Sequence, residues 1–329
     1  MTIVLMETKM NELLSIDFDA EIQRTSEGIR SALREQLNRR GLVIAISGGI
    51  DSSVCAALAT RAVGNKKVFG ILMPETDSSS SSLERGTLLA EHLGIEYVVQ
   101  NIGETLESIG CYRERDAAIK SVFPDYTSGW KNKIVITGGL EGAINHFNLV
   151  VQDPAGEIHE KSLPLREYLT IVAATNYKQR IRKTIEYFQA DRLNYAVIGT
   201  PNRLEYDQGF FVKNGDGSAD LKPIAHLYKS QVYGLARHME LPDLVCSAVP
   251  TTDTYSLQQG QDEFYFALPY EQMDIAVLFL NEGRSEADLA KALNIDVETA
   301  TNVYHDIATK RKTTRYQHLR PVLMEPVDL

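Results

Sequence analysis

Apolar residues recur at helical spacing near the start of the chain and then condense into a short run. The first pattern predicts a helix over 18–39. The run 42–46 ends abruptly at glycine and predicts a buried strand of a parallel sheet. Small apolar residues over 51–63 predict a second helix. The apolar positions of the first helix are Ile22, Ile29, Leu33 and Leu37.

The next segment repeats the alternation of strand and helix. Strands are predicted over 68–73 and 95–99, with a helix over 82–93 between them. Ser81 and Glu84 have the spacing of a capping box, so we expect that helix to begin there. A β-α-β-α-β run predicts parallel strands joined by right-handed crossovers.

The rest of the chain completes an α/β fold. Within a less regular segment, 121–168, two alternating runs flank Asp153-Pro154-Ala155-Gly156 and predict a hairpin. We therefore predict a doubly wound parallel sheet in a catalytic domain over 1–240, with 241–329 as a helical C-terminal region of the same domain. The remaining expected elements are a helix over 165–190, a strand over 195–199, a functional loop over 207–226, and helices over 227–239, 270–281, 286–293 and 297–311.

Composition narrows the class of protein. The 329 residues include 34 Lys and Arg against 44 Asp and Glu, a net charge of −10. That balance argues against a nucleic-acid partner, because such binding needs clustered basic residues. The chain has no apolar run long enough for a membrane span, no signal-peptide pattern and only three scattered cysteines. We expect a cytoplasmic enzyme with no membrane partner.

The candidate chemistry lies in Ser47-Gly48-Gly49-Ile50-Asp51-Ser52-Ser53, between a predicted strand and a predicted helix. A helix N-terminus offers unpaired N–H groups to an anion, and glycines let a phosphate approach the backbone. Serine hydroxyls add donors to the same anion. Asp51 would repel bare phosphate, but it would hold Mg²⁺ that bridges phosphate oxygens. The Walker pattern is missing, so the loop is of another type.

This segment resembles the SGGxDS signature of the ATP pyrophosphatases of the PP-loop type, which split ATP between its α and β phosphates. Further segments resemble the ammonia-dependent NAD⁺ synthetase family, over roughly residues 18–312. The segments that carry the resemblance are 176–182 (NYKQRIR), 199–205 (GTPNRLE), 209–223 (GFFVKNGDGSADLKP), 227–232 (LYKSQV), 250–253 (PTTD), and the Gln261-Asp262-Glu263, Tyr270 and Asp274 series.

The resemblance implies a reaction and a homodimer. ATP adenylates the nicotinate carboxylate of deamido-NAD⁺, and ammonia displaces AMP to form the amide. The resemblance implies that Asp51 and Glu205 bind Mg²⁺, that Lys229 and Thr251 bind phosphate, and that Thr200 lies near ATP together with Ser47, Gly48, Gly49, Ser52 and Ser53. It further implies that Asp216 lies beside the ammonia site and that the dinucleotide is bound by Asn176, Arg180, Lys213 and Asp220. The implied catalytic residues are Asp216, Lys229 and Asp51.

Three departures keep the substrate open. Ala248 and Ala267 stand where the family usually has lysine and glycine. The segment 121–168, which contains Trp130, is longer than the usual connection. It either reshapes the pocket for the acid substrate or elaborates the surface, and an amide synthetase for another carboxylate stays an alternative.

Two further questions concern partners. Only fifty residues precede Asp51, too few for a glutaminase domain, so we expect free ammonia or ammonia from a separate protein. The segment 285–300 has a helix–turn–helix pattern followed by Lys310, Arg311 and Lys312. A DNA-binding regulator and a non-catalytic nucleotide sensor are therefore the alternatives of another class.

Overall fold

Short apolar runs form two sheets in the computed structural model, which describes residues 13–137, 146–248, 255–257, 265–266 and 268–327. Each predicted strand of the first hundred residues is present, although two end one residue early. The strands are β1 (Leu42–Ala45), β2 (Val68–Leu72), β3 (Glu96–Val99), β4 (Lys131–Thr137), β5 (His146–Gln152), β6 (Ile158–Ser162) and β7 (Ala196–Val197).

The helices agree with the predicted order. A π-helical turn, Ala32–Leu37, continues α1. The helices are α1 (Phe18–Ser31), α2 (Ile50–Val63), α3 (Ser80–Leu93), α4 (Gly103–Ser108), α5 (Cys111–Val122), α6 (Leu165–Leu193), α7 (Arg203–Gln208), α8 (Lys229–His238), α9 (Asp243–Cys246), α10 (Tyr270–Asn281), α11 (Glu286–Leu293), α12 (Val297–Thr313) and α13 (Arg315–His318). No helix within these described ranges is long and apolar enough to cross a membrane.

The parallel sheet has the strand order β3-β2-β1-β7 in the part of the chain described. Leu42 pairs with Val68 on one side and with Ala196 on the other. Leu42 and Ile44 pack under α1, α2 and α8, whereas Val43 packs with α4, α5 and α6 on the opposite face. Both faces are therefore covered, which confirms the predicted doubly wound α/β fold and brings the carboxyl ends of the strands to one edge.

The second sheet has the antiparallel order β4-β5-β6. Its β5–β6 pair is the predicted hairpin, with Gln152 opposite Ile158. Apolar residues of this sheet, including Ile134 and Leu149, pack against Ile119 of α5 and Ile171 of α6. Because the sheet rests on the helix that precedes β7, it stands directly beside the strand-end edge of the main sheet.

The helix after β2 begins earlier than its capping-box spacing indicates. Ser79, rather than Ser81, is its N-cap, and the Ser79 side chain accepts a hydrogen bond from the backbone N–H of Ser82. The prediction at Ser81 and Glu84 was wrong because a run of five serines offers several equivalent caps. The run is ordered and connects β2 to α3.

The C-terminal helices α10, α11 and α12 enclose a separate group of buried apolar residues. Ile275, Leu289 and Val303 lie at its centre, and Leu204 of α7 joins them. The helical character predicted for this region is confirmed. The boundary at residue 240 stays a prediction.

Candidate active site

The loop between β1 and α2 makes its turn at Gly48, a position that no other residue fits well. Gly48 has φ +78°, and a Cβ there would overlap the carbonyl oxygen of Ser82. Gly49 is the N-cap of α2, and its own N–H donates to Ser47 Oγ at 3.2 Å. The loop therefore lies against α3 and leads directly into a helix N-terminus, the local geometry that suits a phosphate.

The serine hydroxyls of the motif brace this loop. Ser52 Oγ donates to the carbonyl of Gly49 at 3.0 Å and lies 3.1 Å from Ser47 Oγ. Ser53 Oγ donates to the same carbonyl at 2.8 Å. These bonds fix the loop backbone, so its N–H groups are positioned before a ligand arrives.

Three segments distant in sequence meet at the mouth of this loop. Lys229 Nζ donates to one carboxylate oxygen of Asp51, and Asn202 Nδ2 donates to the other at 3.1 Å. The backbone N–H of Asn202 donates to Glu205 Oε2, also at 3.1 Å. Asn202 thus joins two acidic side chains, one from the first turn of α2 and one from the first turn of α7.

Lys229 is buried beside these carboxylates. Burial alone would lower its pKa, but Asp51 and Glu205 outweigh burial and raise the pKa above its ordinary value. The lysine is therefore a fixed cation, and it begins α8, whose first turn is held from the C-terminal region by Asp274.

These groups open into a cavity of about 800 Å³. Its polar end contains the loop residues Ser47, Gly49 and Ser52 with Asp51 and Lys229. Its other walls come from α6, from the loop after α7, from the second sheet and from α12 and α13. The volume falls in the range of small-molecule sites.

The cavity brings together most of the residues that the resemblance implicates. Thr200, Asn176, Arg180 and Lys213 all line it. Arg180 Nε donates to the carbonyl of Lys213 at 3.3 Å, which ties α6 to the loop after α7.

Not every residue of the expected set is placed in the cavity lining. Asp220 is outside the cavity lining among the described residues. Its carboxylate accepts from the N–H of Val197 at 2.7 Å and from the hydroxyl of Tyr187, so it holds β7 in place. Thr251 falls outside the residues that the structure describes.

A buried charged pair of α6 lies in the cavity wall beside Asp216. Lys183 Nζ donates to Glu186 Oε2 at 2.8 Å, and Asp216 accepts from the N–H of Val212 at 2.7 Å. Burial raises the pKa of Asp216 and of Glu186, the latter against the opposing attraction of Lys183. A carboxylate made more basic in this way is a stronger proton acceptor than an exposed one.

Several site residues escaped the sequence reasoning. Asn202 is one of them; it precedes the expected metal ligand Glu205 by three residues, and the two form a capping box on α7, a signal that the spacing could have given. Arg85 of α3 donates to the carbonyl of Gly48 at 2.9 Å and lines the cavity, and no sequence pattern marks it. Lys183 and Glu186 likewise carry no motif.

The donor set at the loop mouth fits a magnesium ion. Asp51 and Glu205 supply carboxylate oxygens, the ligand type that Mg²⁺ prefers, and both face the same cavity. Asn202 orients both carboxylates, as outer partners of metal ligands commonly do.

The fold and this site define a class. A doubly wound parallel sheet whose first strand ends in a glycine–serine loop, with carboxylates at the loop mouth, is an ATP pyrophosphatase fold of the PP-loop type. The sequence model of the NAD synthase family matches residues 21–121 and 145–317, so the chain belongs to that family.

Similar proteins agree with this membership. The NH(3)-dependent NAD(+) synthetase of Rhizobium meliloti (strain 1021) is 57% identical over 318 residues, which cover 96% of this chain and 95% of the relative. The solved NMN synthetase from Francisella tularensis shares the fold, with a TM-score of 0.64 at 20% identity over 94% of this chain and 99% of its own. The NH3-dependent NAD synthetase from Campylobacter jejuni does so with a TM-score of 0.62 at 20% identity, over 94% and 100%.

Proposed function

We propose that this chain catalyses the ATP-dependent amidation of deamido-NAD⁺ with ammonia, forming NAD⁺, AMP and pyrophosphate, as a carbon–nitrogen ligase. The observation that carries the proposal is the single cavity shared by the Asp51–Lys229 pair, Glu205 and the substrate-facing side of α6. Membership of the NAD synthase family and the extensive identity to synthetases of that name support the substrate.

The adenylation step uses the polar end of the cavity. Backbone N–H groups at the start of α2 bind the phosphates, and the positive charge of Lys229, beside Asp51, stabilises the developing charge on pyrophosphate. Mg²⁺ held by Asp51 and Glu205 would neutralise phosphate charge and so make pyrophosphate a better leaving group. The nicotinate carboxylate attacks the α-phosphorus, and pyrophosphate departs.

The amidation step uses Asp216. Ammonium gives a proton to the Asp216 carboxylate, whose pKa is raised by desolvation, and the resulting ammonia attacks the acyl carbon. The bond to AMP breaks as the amide forms. The Lys183–Glu186 pair beside Asp216 keeps this wall charged but closed to bulk water.

The C-terminal basic residues support catalysis rather than DNA binding. Lys310 Nζ donates to Asp306 at 2.6 Å and to the carbonyl of Tyr265, and Arg311 pairs with Asp207 at 2.7 Å. Cations engaged within the chain offer little charge to a phosphate backbone. Lys310 also lines the cavity, so this region forms part of the small-molecule site.

The proposal includes a homodimer built on α6. Leu165, Leu169, Tyr177 and Phe188 are all exposed on this helix. Exposed apolar side chains on a helix that also faces the cavity suit pairing with the same side chains of a second copy. Leu169→Glu should shift the sedimentation coefficient from dimer to monomer, whereas Leu244→Glu, at an exposed leucine of α9, should not. A wild-type monomer would refute the dimer.

The ammonia source and setting belong to the same proposal. We infer that free ammonia, or ammonia delivered by a separate protein, serves the reaction in the cytoplasm. Cys55, Cys111 and Cys246 are unpaired, which suits a reducing compartment.

The decisive experiment measures AMP, pyrophosphate and amide with ATP, Mg²⁺, ammonium and deamido-NAD⁺. Asp51→Asn and Glu205→Gln should each lower turnover at least a hundredfold while leaving the thermal unfolding midpoint within a few degrees of wild type. Asp153→Asn, on the exposed turn of the β5–β6 hairpin, is the matched control and should turn over normally. Stimulation of AMP release by another carboxylate, and not by deamido-NAD⁺, would replace the substrate. Binding of ATP without AMP release would make the protein a sensor.

A further inference from the structure

The second sheet contributes an aromatic wall to the cavity. Phe147 of β5 and Tyr168 of α6 stack with their ring centroids 4.0 Å apart and their planes 20° from parallel. Ile136 of β4 and Val172 of α6 line the cavity beside them. These four side chains, the aromatic wall, form an apolar surface at the end of a cavity whose other end is charged.

Part of this wall comes from a segment that the family model passes over. The match to the NAD synthase family stops at residue 121 and resumes at residue 145, so β4 and its Ile136 lie between the two matched ranges. The described part of this segment, residues 122–137, packs on its neighbours, because Phe123 and Ile134 are buried against the β5–β6 hairpin and α6. The sheet therefore shapes the pocket, one of the two alternatives that the sequence left open for it.

The wall lies far from the reacting groups. Tyr168 and Lys183 both face the cavity and are fifteen residues apart on α6, about 22 Å along the helix axis. Lys183 is beside Asp216, at the charged end. A mononucleotide that reacts there fills only part of this span, whereas a dinucleotide carries a second base beyond its pyrophosphate.

We propose that the aromatic wall binds the adenine base of the dinucleotide substrate and so selects the dinucleotide over its mononucleotide half; this inference rests on the proposed function. A purine offers a flat face that stacks on Phe147, and Ile136 and Val172 exclude water from its edges. The adenine base of ATP has a binding place closer to the loop that follows β1. Its triphosphate is held at the loop after β1, and Ile46, which directly precedes that loop, lines the cavity together with Met73.

The test compares two rings with their aliphatic replacements. Phe147→Leu and Tyr168→Leu remove stacking but keep apolar volume. Each should raise the KM for deamido-NAD⁺ about tenfold or more, with kcat and the KM for ATP within twofold of wild type. Ile158→Ala, at an exposed position of β6 on the same sheet, is the control and should leave all three parameters unchanged.

A comparison with a mononucleotide substrate shows whether the effect is specific to the dinucleotide. Wild type should use nicotinate mononucleotide with a much lower kcat/KM than deamido-NAD⁺, and Phe147→Leu should lower only the value for the dinucleotide. An unchanged KM for deamido-NAD⁺, an equal loss for both substrates, or a rise in the KM for ATP instead would overturn the inference. If wild type fails to amidate deamido-NAD⁺ at all, the proposed function fails, and titration of the nonreacting dinucleotide still reports whether the wall binds it.

Discussion

The carboxylate of Asp274 accepts hydrogen bonds from both the backbone N–H and the hydroxyl of Ser230, at 2.8 and 2.7 Å. Asp274 is buried on α10, and Ser230 follows Lys229 in the first turn of α8. A residue of the C-terminal helices therefore fixes the helix start that carries Lys229, the lysine proposed to bind phosphate. Asp274 is a positioning residue, because it acts on the site through α8.

Asp274→Asn should uncouple this helix start from α10. The amide presents a donor where the carboxylate accepted, so Lys229 loses its fixed position and kcat should fall about tenfold, the scale of losing one charge-assisted hydrogen bond of about 1.5 kcal/mol. The KM for deamido-NAD⁺ should change less, because α6 is untouched. Steady-state kinetics with each substrate varied in turn measure this division. Equal losses in kcat and in both KM values would indicate general unfolding instead.

The same residue makes stability depend on pH. Burial raises the pKa of Asp274 to about 7, against the hydrogen bonds from Ser230. A raised folded-state pKa gives stability that is present below the ordinary aspartate pKa and is lost as pH rises toward 7. Urea unfolding between pH 4 and 7 should therefore show wild type losing a few kcal/mol relative to Asp274→Asn. Exposed Asp288, whose pKa is lowered by Ser285, should show the opposite sign and below pH 4, where wild type loses stability relative to Asp288→Asn as the pH falls.

Replacing Asn202 should weaken the metal site without touching a ligand. Asn202 joins Asp51 to Glu205 and also caps α7. We expect Asn202→Ala to raise the Mg²⁺ concentration for half-maximal activity about tenfold, as loss of an outer partner of metal ligands does. Asn202→Ser separates the helix cap from the contact with Asp51. Serine caps helices well, so it keeps the cap, but it is too short to reach Asp51. A normal Mg²⁺ requirement in Asn202→Ala would contradict the role of the bridge.

A buried ion network anchors α6 to the loop after β2. Lys178 Nζ donates to Glu75 Oε1 at 3.0 Å and to Asp77 Oδ2 at 2.6 Å, and Arg115 also pairs with Asp77. Lys178→Met would leave two carboxylates with fewer partners in the interior, and we expect a loss of about 3–5 kcal/mol in the free energy of unfolding. The double variant Lys178→Met/Glu75→Gln should recover part of that loss. Urea unfolding of the single and double variants measures the coupling, and strictly additive losses would refute it.

Local patterns predicted most of the fold and part of the site. The strand, glycine turn and helix around Gly48 are contiguous in sequence, so one segment was enough to predict all three. The pairing of Asp274 with Ser230 spans 44 residues and depends on how two helices pack, which no spacing reveals. The aromatic wall could not be predicted from the sequence for the same reason. Its β4 residue reaches the cavity only because β4 pairs with β5 and the sheet packs on α6.

The phosphate loop itself offers a matched pair of glycines for a last prediction. Gly48 and Gly64, at the two ends of α2, have φ values of +78° and +82°, so alanine would strain the backbone at both. Only at Gly48 would the new Cβ overlap the carbonyl of Ser82; at Gly64 nothing lies within 4 Å. Both variants should lose about 1–2 kcal/mol of stability from the strained backbone. Gly48→Ala should also raise the KM for ATP at least tenfold, because α3 and the loop must separate, whereas Gly64→Ala should keep wild-type kinetics. Equal kinetics in the two variants would mean that the loop does not hold the nucleotide.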